Sequence, residues 1–450
     1  MRALRLDTLA ESVTGDLSGV ASDLTDKVRV LVLSNFYPPA AIGGMERSCE
    51  SAVKELERRG HTMLVLTSRH QRKKCPQTPG VKRLLHLEMA LTSFRPALDS
   101  FLLHTIHVKR NREVLRETIQ TFAPDVVFVW GMWNLPRILA IDAEKMMEGR
   151  VLYRFADYWP TLPSQLEEYW SQPGRFRVTR VIRRLLRPLA LKIENSAGRA
   201  EPSLPHTVFA SRAIRDEFER LGVRFSGGTI IHNAFDLSPF TKTDLSVKHS
   251  TISARRLLYV GRLAPEKGVH VAVEALGKLL ATEPHEDWML TVAGTGPTDY
   301  VEEIASLGRR LGISDRVNLI GEIPFAKVPG LYQEHSIVLF PSLWVEPFGR
   351  SVLEGMASGC TVVASRIGAP TEIIDEPATG FLFPPGDPSA LADCLSRLVR
   401  DPKTLQSVGS AAQKRAVQMF RQEVVVDRLE AALEEACLAG SRTRTTQFTV

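Results

Sequence analysis

Residues 346–359 read EPFGRSVLEGMASG and place two carboxylates, Glu346 and Glu354, around a proline, a glycine and a short apolar run. Pro347 disfavours helical dihedrals at Glu346, which puts that acid in an extended segment. Gly349 permits a tight approach, Arg350 onward reads as a first helical turn, and Ser358-Gly359 supplies the stop, so Glu354 falls inside a helix. The CTVVAS that follows reads as a buried strand. N–H groups near Gly349–Val352 would face whatever lies across the helix N-terminus and favour an anion. A phosphate flanked by two hydroxyl-bearing rings would suit such a place, one glutamate accepting from each ring. Taken alone, the fragment is more plainly a surface helix with solvated acids.

Other residues point at the same chemistry. Arg262 ends the strand-like LLYVGR, and Lys267 stands before Gly268 and the next helical pattern. Both project from the C-terminal edge of a parallel strand, where open α/β sheets bind ligands. Two cations beside a helix N-terminus make a diphosphate site. In isolation they are better read as ordinary surface cations. AGTGP (293–297), with Gly294, is another glycine-rich strand end, but GxGxxG is absent, so it fails as a dinucleotide fingerprint. His104 and His107 lie three apart on an expected helix without a neighbouring carboxylate or cysteine, which favours a plain helical role over zinc.

The elements that must carry these residues form two strand-then-helix halves. VRVLVLS runs into a loop holding Gly43 and Gly44, a helix from about Met45 stops at Gly60, and HTMLVLTS follows, a βαβ unit that implies a parallel sheet. DVVFVW, VLYRFA and HTVFAS are further strands. The second half restarts with RLLYVGRL, the helix VHVAVEALGKLL, then WMLTVAG, VNLIGEI, SIVLFPS, CTVVAS and GFLFPPGD. The expected organisation is a polar extension at 1–26, a first domain at 27–235, a polar, aperiodic linker at 236–254, a second domain at 255–420, a terminal helix at 421–438 and a tail at 439–450.

Composition bounds the partners. The chain has 450 residues, formal net charge +6 and a pI of about 9.1, mildly basic and suited to an anionic small molecule or surface. No nucleic-acid-binding pattern is visible, so no nucleic-acid partner is expected. The five scattered cysteines form no CxxC and read as reduced thiols of a cytoplasmic protein. The N-terminus has no continuous apolar core, so it does not read as a secretory signal, and no window is long and apolar enough to span a membrane.

VGRLAPEKGV, AGTGP, FPSLWVEPFGRSVLEGMASG and GFLFPPGDPSAL occur in the order and at the spacing of the family-four retaining glycosyltransferases. GGMERS and IIHNAFD also match, and the resemblance covers about 28–435. It implies the GT-B fold: two Rossmann-like α/β domains facing each other across a cleft, with a nucleotide-sugar donor held mainly by the second. On that resemblance Glu354 accepts from the ribose hydroxyls and Glu346 sits by the transferred sugar. Phe348, Gly349, Ser351 and Val352 lie along the diphosphate, the last two through backbone N–H groups. Arg262 and Lys267 neutralise the leaving diphosphate, Gly43 and Gly44 close over the phosphates from the first domain, and Ile323 lies against the base. Asp157 and Gly294 complete the expected donor site. Retaining members are thought to use same-face attack, so no covalent nucleophile is expected. No DxD motif stands beside the site, so neither metal nor other cofactor is expected.

Two departures bear on substrate. FADYWP has Ala156 where many members carry a histidine, and Gly131 and Met132 replace histidines after DVVFVW, leaving the donor sugar open. The acceptor is also open: a glycan, a lipid-linked or a small hydroxyl compound. RFRVTRVIRRLLRPLALKI (175–193) has six arginines within 175–187 and no acid. Its apolar stripe packing on the sheet is the plainer expectation. The alternative is peripheral docking on an anionic membrane. Two other functions stay in view. A GT-B phosphorylase or epimerase would bring a pyridoxal-phosphate lysine or an inverted motif order, and neither is seen. A non-catalytic sugar-nucleotide binding protein would bind donor without turnover.

Overall fold

The structure is a computed structural model describing residues 27–40, 43–89, 91, 96–171, 181, 184, 187–188, 201–242 and 253–445. Two wholly parallel sheets organise it. The first has seven strands: β1 (Arg29–Ser34), β2 (Thr62–Ser68), β3 (Val81–Leu85), β4 (Val126–Gly131), β5 (Val151–Phe155), β6 (His206–Phe209) and β7 (Thr229–Ile230), in the order β3-β2-β1-β4-β5-β6-β7. The second has six: β8 (Arg256–Val260), β9 (Met289–Ala293), β10 (Val317–Gly321), β11 (Ile337–Phe340), β12 (Thr361–Ser365) and β13 (Phe381–Phe383), in the order β10-β9-β8-β11-β12-β13. Central strands read as continuous apolar runs because helices cover both faces: β4 is buried throughout, as are β11 and β12. Strand order reverses between β1 and β4 and between β8 and β11, and loops leaving such switch points build ligand crevices.

The strands missing from the sequence reading are β3 and β7. Both are edge strands; β3 mixes Lys82 and Arg83 into its apolar residues, and β7 is two residues long, so neither carries a clear periodic signal. The expected linker begins inside packed structure. Leu237 and Phe240 are buried in the apolar cluster around β11 and β12, where Phe240 meets Tyr332 edge-on, while 243–252 lie outside the described residues. The terminal helix runs Gln422–Thr445, past the expected end at 438. It returns to the first domain: Val425, Val426, Leu429, Leu433 and Ala436 share an apolar cluster with β1, β2 and the helix Gly44–Arg58. All five cysteines are free thiols.

Most of the basic segment 175–193 lies outside the described residues. Those described in it, Val181, Arg184, Arg187 and Pro188, are exposed. Among the described residues no helix is long and apolar enough to cross a membrane.

Candidate functional site

The loops leaving β1, β8 and β11 converge on one cleft of about 580 Å³ between the domains. The first domain contributes Gly43, Gly44, Ala156, Asp157 and Asn233, and the second contributes Arg262, Lys267, Ser342, Trp344, Glu346, Phe348, Gly349, Arg350, Ser351 and Glu354.

Glu346 follows β11 in an extended loop. Its carboxylate is buried, and one oxygen, Oε1, accepts both from Lys267 Nζ at 2.5 Å and from Ser342 Oγ at 3.1 Å. Lys267 Nζ also lies 4.9 Å from the centre of the Trp344 ring. The lysine is held there by a 3-10 turn, Pro265–Lys267, that Gly268 ends with φ +68°. The first domain grips the Glu346 loop on both sides: Tyr158 Oη donates to Val345 O at 2.9 Å and Ser211 Oγ to Pro347 O at 2.7 Å. Gly368 packs beneath; a Cβ there would lie 2.3 Å from Glu346 N, and with φ +70° this position suits glycine alone.

Glu354 lies in the helix Arg350–Ala357, which begins at Gly349 with φ +89°. It is buried, accepting from Tyr332 Oη at 3.0 Å and from Arg350 Nε at 2.7 Å. The Arg350 guanidinium stacks on Phe235 and Phe325 at 5.0 and 4.7 Å, and Arg47 of the first domain covers Phe325 at 4.6 Å. Gly44 touches the same arginine: a Cβ there would come within 3.0 Å of Arg350 Cδ. Arg262 is largely exposed at the cleft edge, paired with Glu266 at 2.6 Å.

Asp157 stands just past β5. Burial of its carboxyl, with Glu46 nearby, raises its pKa to about 7, so at neutral pH it is divided between acid and carboxylate. Glu46 is itself buried and accepts from Gly43 N at 2.9 Å, which shapes the glycine loop.

Three expected donor-site residues do not line the cleft. Gly294 packs loop against loop, since a Cβ there would lie 1.8 Å from Gly261 O. Ile323 packs against the β11–β12 cluster, and Phe325, two residues on, reaches the cleft instead. Val352 is fully buried and its N–H donates to Gly349 O at 3.1 Å, so that group is already used, whereas Ser351 stays at the open end of the helix. Sequence reasoning missed Ser342, Trp344, Phe325, Arg350 and Asn233. Asn233 stood in the quoted IIHNAFD and Arg350 beside the glycine, but nothing in the sequence alone aims their side chains. His107 stacks on His86 at 4.1 Å, and burial lowers the pKa of His86 to about 4.

Comparison with known proteins bears on the family and the fold. The family model described as Glycosyltransferase Family 4 matches residues 42–239, and that described as Glycosyl transferases group 1 matches 247–415. A D-inositol 3-phosphate glycosyltransferase of Corynebacterium diphtheriae is 34% identical over 40% of this chain and 43% of its own length. The chain thus spans about half the length or less of the first such relatives. A glycogen synthase of Mycobacterium tuberculosis is 25% identical over 88% of this chain and 92% of its own. Among solved structures, Anabaena HepE in complex with UDP and glucose superposes with TM-score 0.62 at 21% identity, covering 90% of this chain and 99% of its own. Sucrose-phosphate synthase from Thermosynechococcus elongatus gives 0.67 at 19% identity, covering 92% and 100%. Those two likenesses show the fold, which is GT-B. With two parallel-sheet domains closing on a cleft lined by its motif residues, and with adjoining family matches running from 42 to 415, the chain belongs to the family-four, group 1 glycosyltransferases.

Proposed function

We propose that the chain moves a sugar from a nucleotide-diphosphate sugar to a hydroxyl acceptor with retention of configuration, without a metal ion and without a covalent enzyme nucleophile. The observation that carries this is the Lys267–Glu346–Ser342 cluster beside Arg262, facing Gly43 and Gly44 across one cleft. Departure of the nucleotide builds negative charge on the diphosphate. Lys267, Arg262 and the N-terminus of the helix Arg350–Ala357 are fixed positive groups for that charge, worth most as it develops. Glu346, held within the cleft wall, positions the transferred sugar. Glu354 accepts from the ribose, with Phe325 near the base. The departing phosphate takes the acceptor proton, so the bond to the new oxygen forms on the face the leaving group vacates.

UDP in the HepE complex supports UDP-glucose as the first donor to try. The acceptor is a glycan, a lipid-linked or a small hydroxyl compound, reached from the first-domain side. If it is presented on an anionic membrane, the basic segment 175–193 docks there, and co-sedimentation with anionic but not neutral vesicles, weakened by salt, is the check. For the donor, the test is a thermal-shift panel of UDP, GDP, ADP and dTDP sugars. A ligand at a hundred times its dissociation constant stabilises by about 2.7 kcal/mol. No shift with any of them refutes donor binding, and binding without turnover favours a non-catalytic sugar-nucleotide protein.

A further inference from the structure

Arg154 is a fully buried cation in the first domain, under the floor of the cleft. It lies on β5 and reaches Asn233, which lines the cleft. Among the described residues no acid pairs with it. Its guanidinium rests over the Trp130 ring at 4.9 Å, and Nε and Nη1 have no hydrogen-bond partner there. Burial lowers its pKa to about 9, still above neutral, so at pH 7 it is a cation that only donates. An unpaired buried guanidinium is costly. Its remaining nitrogen, Nη2, makes two bonds, to His232 O at 2.9 Å and to Asn233 Oδ1 at 2.7 Å.

The second bond decides how Asn233 is turned. Only the carboxamide oxygen can face a donor-only group, so the amide nitrogen must face the other way. Asn233 is itself buried, yet it lines the donor cleft. We propose that Arg154 is a positioning residue: by donating to Asn233 Oδ1 it turns Nδ2 into the cleft, where that N–H donates to an oxygen of the bound sugar nucleotide. This rests on the transferase reading above.

The experiment uses the full chain with Asn233→Asp, Asn233→Ala, Arg154→Met and the Asn233→Ala/Arg154→Met double variant. Each is assayed for melting temperature, and for kcat and KM with whichever of UDP-, GDP-, ADP- or dTDP-glucose the wild type turns over. Asp keeps an oxygen for Arg154 but has no N–H for the cleft. Asn233→Asp should therefore melt at or above the wild type, since its carboxylate also pairs the buried guanidinium, while kcat/KM falls by about tenfold or more, as expected when a hydrogen bond to a charged group is lost. Arg154→Met should lose a similar factor alone and nothing further in the Asn233→Ala background, because it acts through Asn233. Asn233→Asp with wild-type kcat/KM overturns the proposal, since a purely structural bolt survives that change. A further tenfold loss from Arg154→Met in the Asn233→Ala background also overturns it. If Arg154→Met does not fold, Asn233→Asp alone decides. A wild type that turns over none of the donors overturns the transferase reading and this proposal with it, whereas an active wild type matched by Asn233→Asp overturns this proposal alone.

Discussion

Replacing Glu346 by Gln removes a charge while keeping the shape of the site. Lys267 Nζ and Ser342 Oγ both donate to the same carboxylate oxygen, and a glutamine carbonyl in that place accepts from both. The structural loss is the charge-assisted part of one bond, about 1 kcal/mol. For a domain of this size that lowers the melting temperature by about 2–4 °C. The electrostatic effect on nucleotide runs the other way. A diphosphate on the far side of Lys267 would sit on the order of 7 Å from the carboxylate, and at an effective dielectric of about 20–40 their repulsion is about 1–2 kcal/mol. Salt screening reduces this, so free nucleoside diphosphate should bind unchanged or up to about tenfold tighter. Transfer should nevertheless fall by about a hundredfold, the scale seen when one preorganised group acting on a transition state is lost. Calorimetric titration with the free diphosphate and initial-rate kinetics with the donor read the two effects separately. A diphosphate affinity that falls by the same factor as turnover refutes the placement of Glu346 at the sugar end.

Glu354→Gln should behave oppositely. With Tyr332 and Arg350 both donating to the carboxylate, an amide leaves one of them facing another donor, and diphosphate affinity should drop by about tenfold; unchanged affinity counts against Glu354 at the ribose. Arg262→Ala should leave melting nearly unchanged because its ion pair is exposed, whereas Lys267→Ala should also destabilise by stranding buried Glu346; both should lower kcat, and unchanged turnover in the double variant sinks the leaving-group role. Asp157 holds its proton to about pH 7 when folded but to about 3.8 as an ordinary aspartate. The folded state therefore binds more protons between those values, so this group's contribution to stability is full at the acid end and is lost as pH rises through about 7. Asp157→Asn should flatten that slope between about pH 4 and 7, and parallel melting curves for the two proteins over that range contradict it. Activity should survive excess chelator, and complete loss restored by magnesium refutes metal independence.

The sheets were legible where strands are long and buried on both faces, as in β1, β4 and β12, because an unbroken β-branched run has few other uses. Edge strands β3 and β7 were not, since β3 mixes Lys82 and Arg83 into its apolar residues and β7 is only two residues long. The start of the helix at Arg350 was legible because Pro347 and Gly349 restrict the backbone locally. What stayed hidden was side-chain direction across long separations. That Phe325 rather than Ile323 reaches the cleft, and that Asn233 is turned by Arg154, depend on packing between segments tens of residues apart. Leu237 and Phe240 show the same limit: a polar stretch hid two apolar anchors that only the tertiary contact reveals.

The most direct test of sugar transfer from a nucleotide donor is proton NMR of the wild-type chain incubated with UDP-, GDP-, ADP- and dTDP-glucose and a panel of hydroxyl acceptors. The prediction is release of nucleoside diphosphate from one donor class, with the new glycosidic bond carrying the anomeric configuration of the donor. Inverted product contradicts the mechanism, and the absence of diphosphate release from every donor contradicts the function.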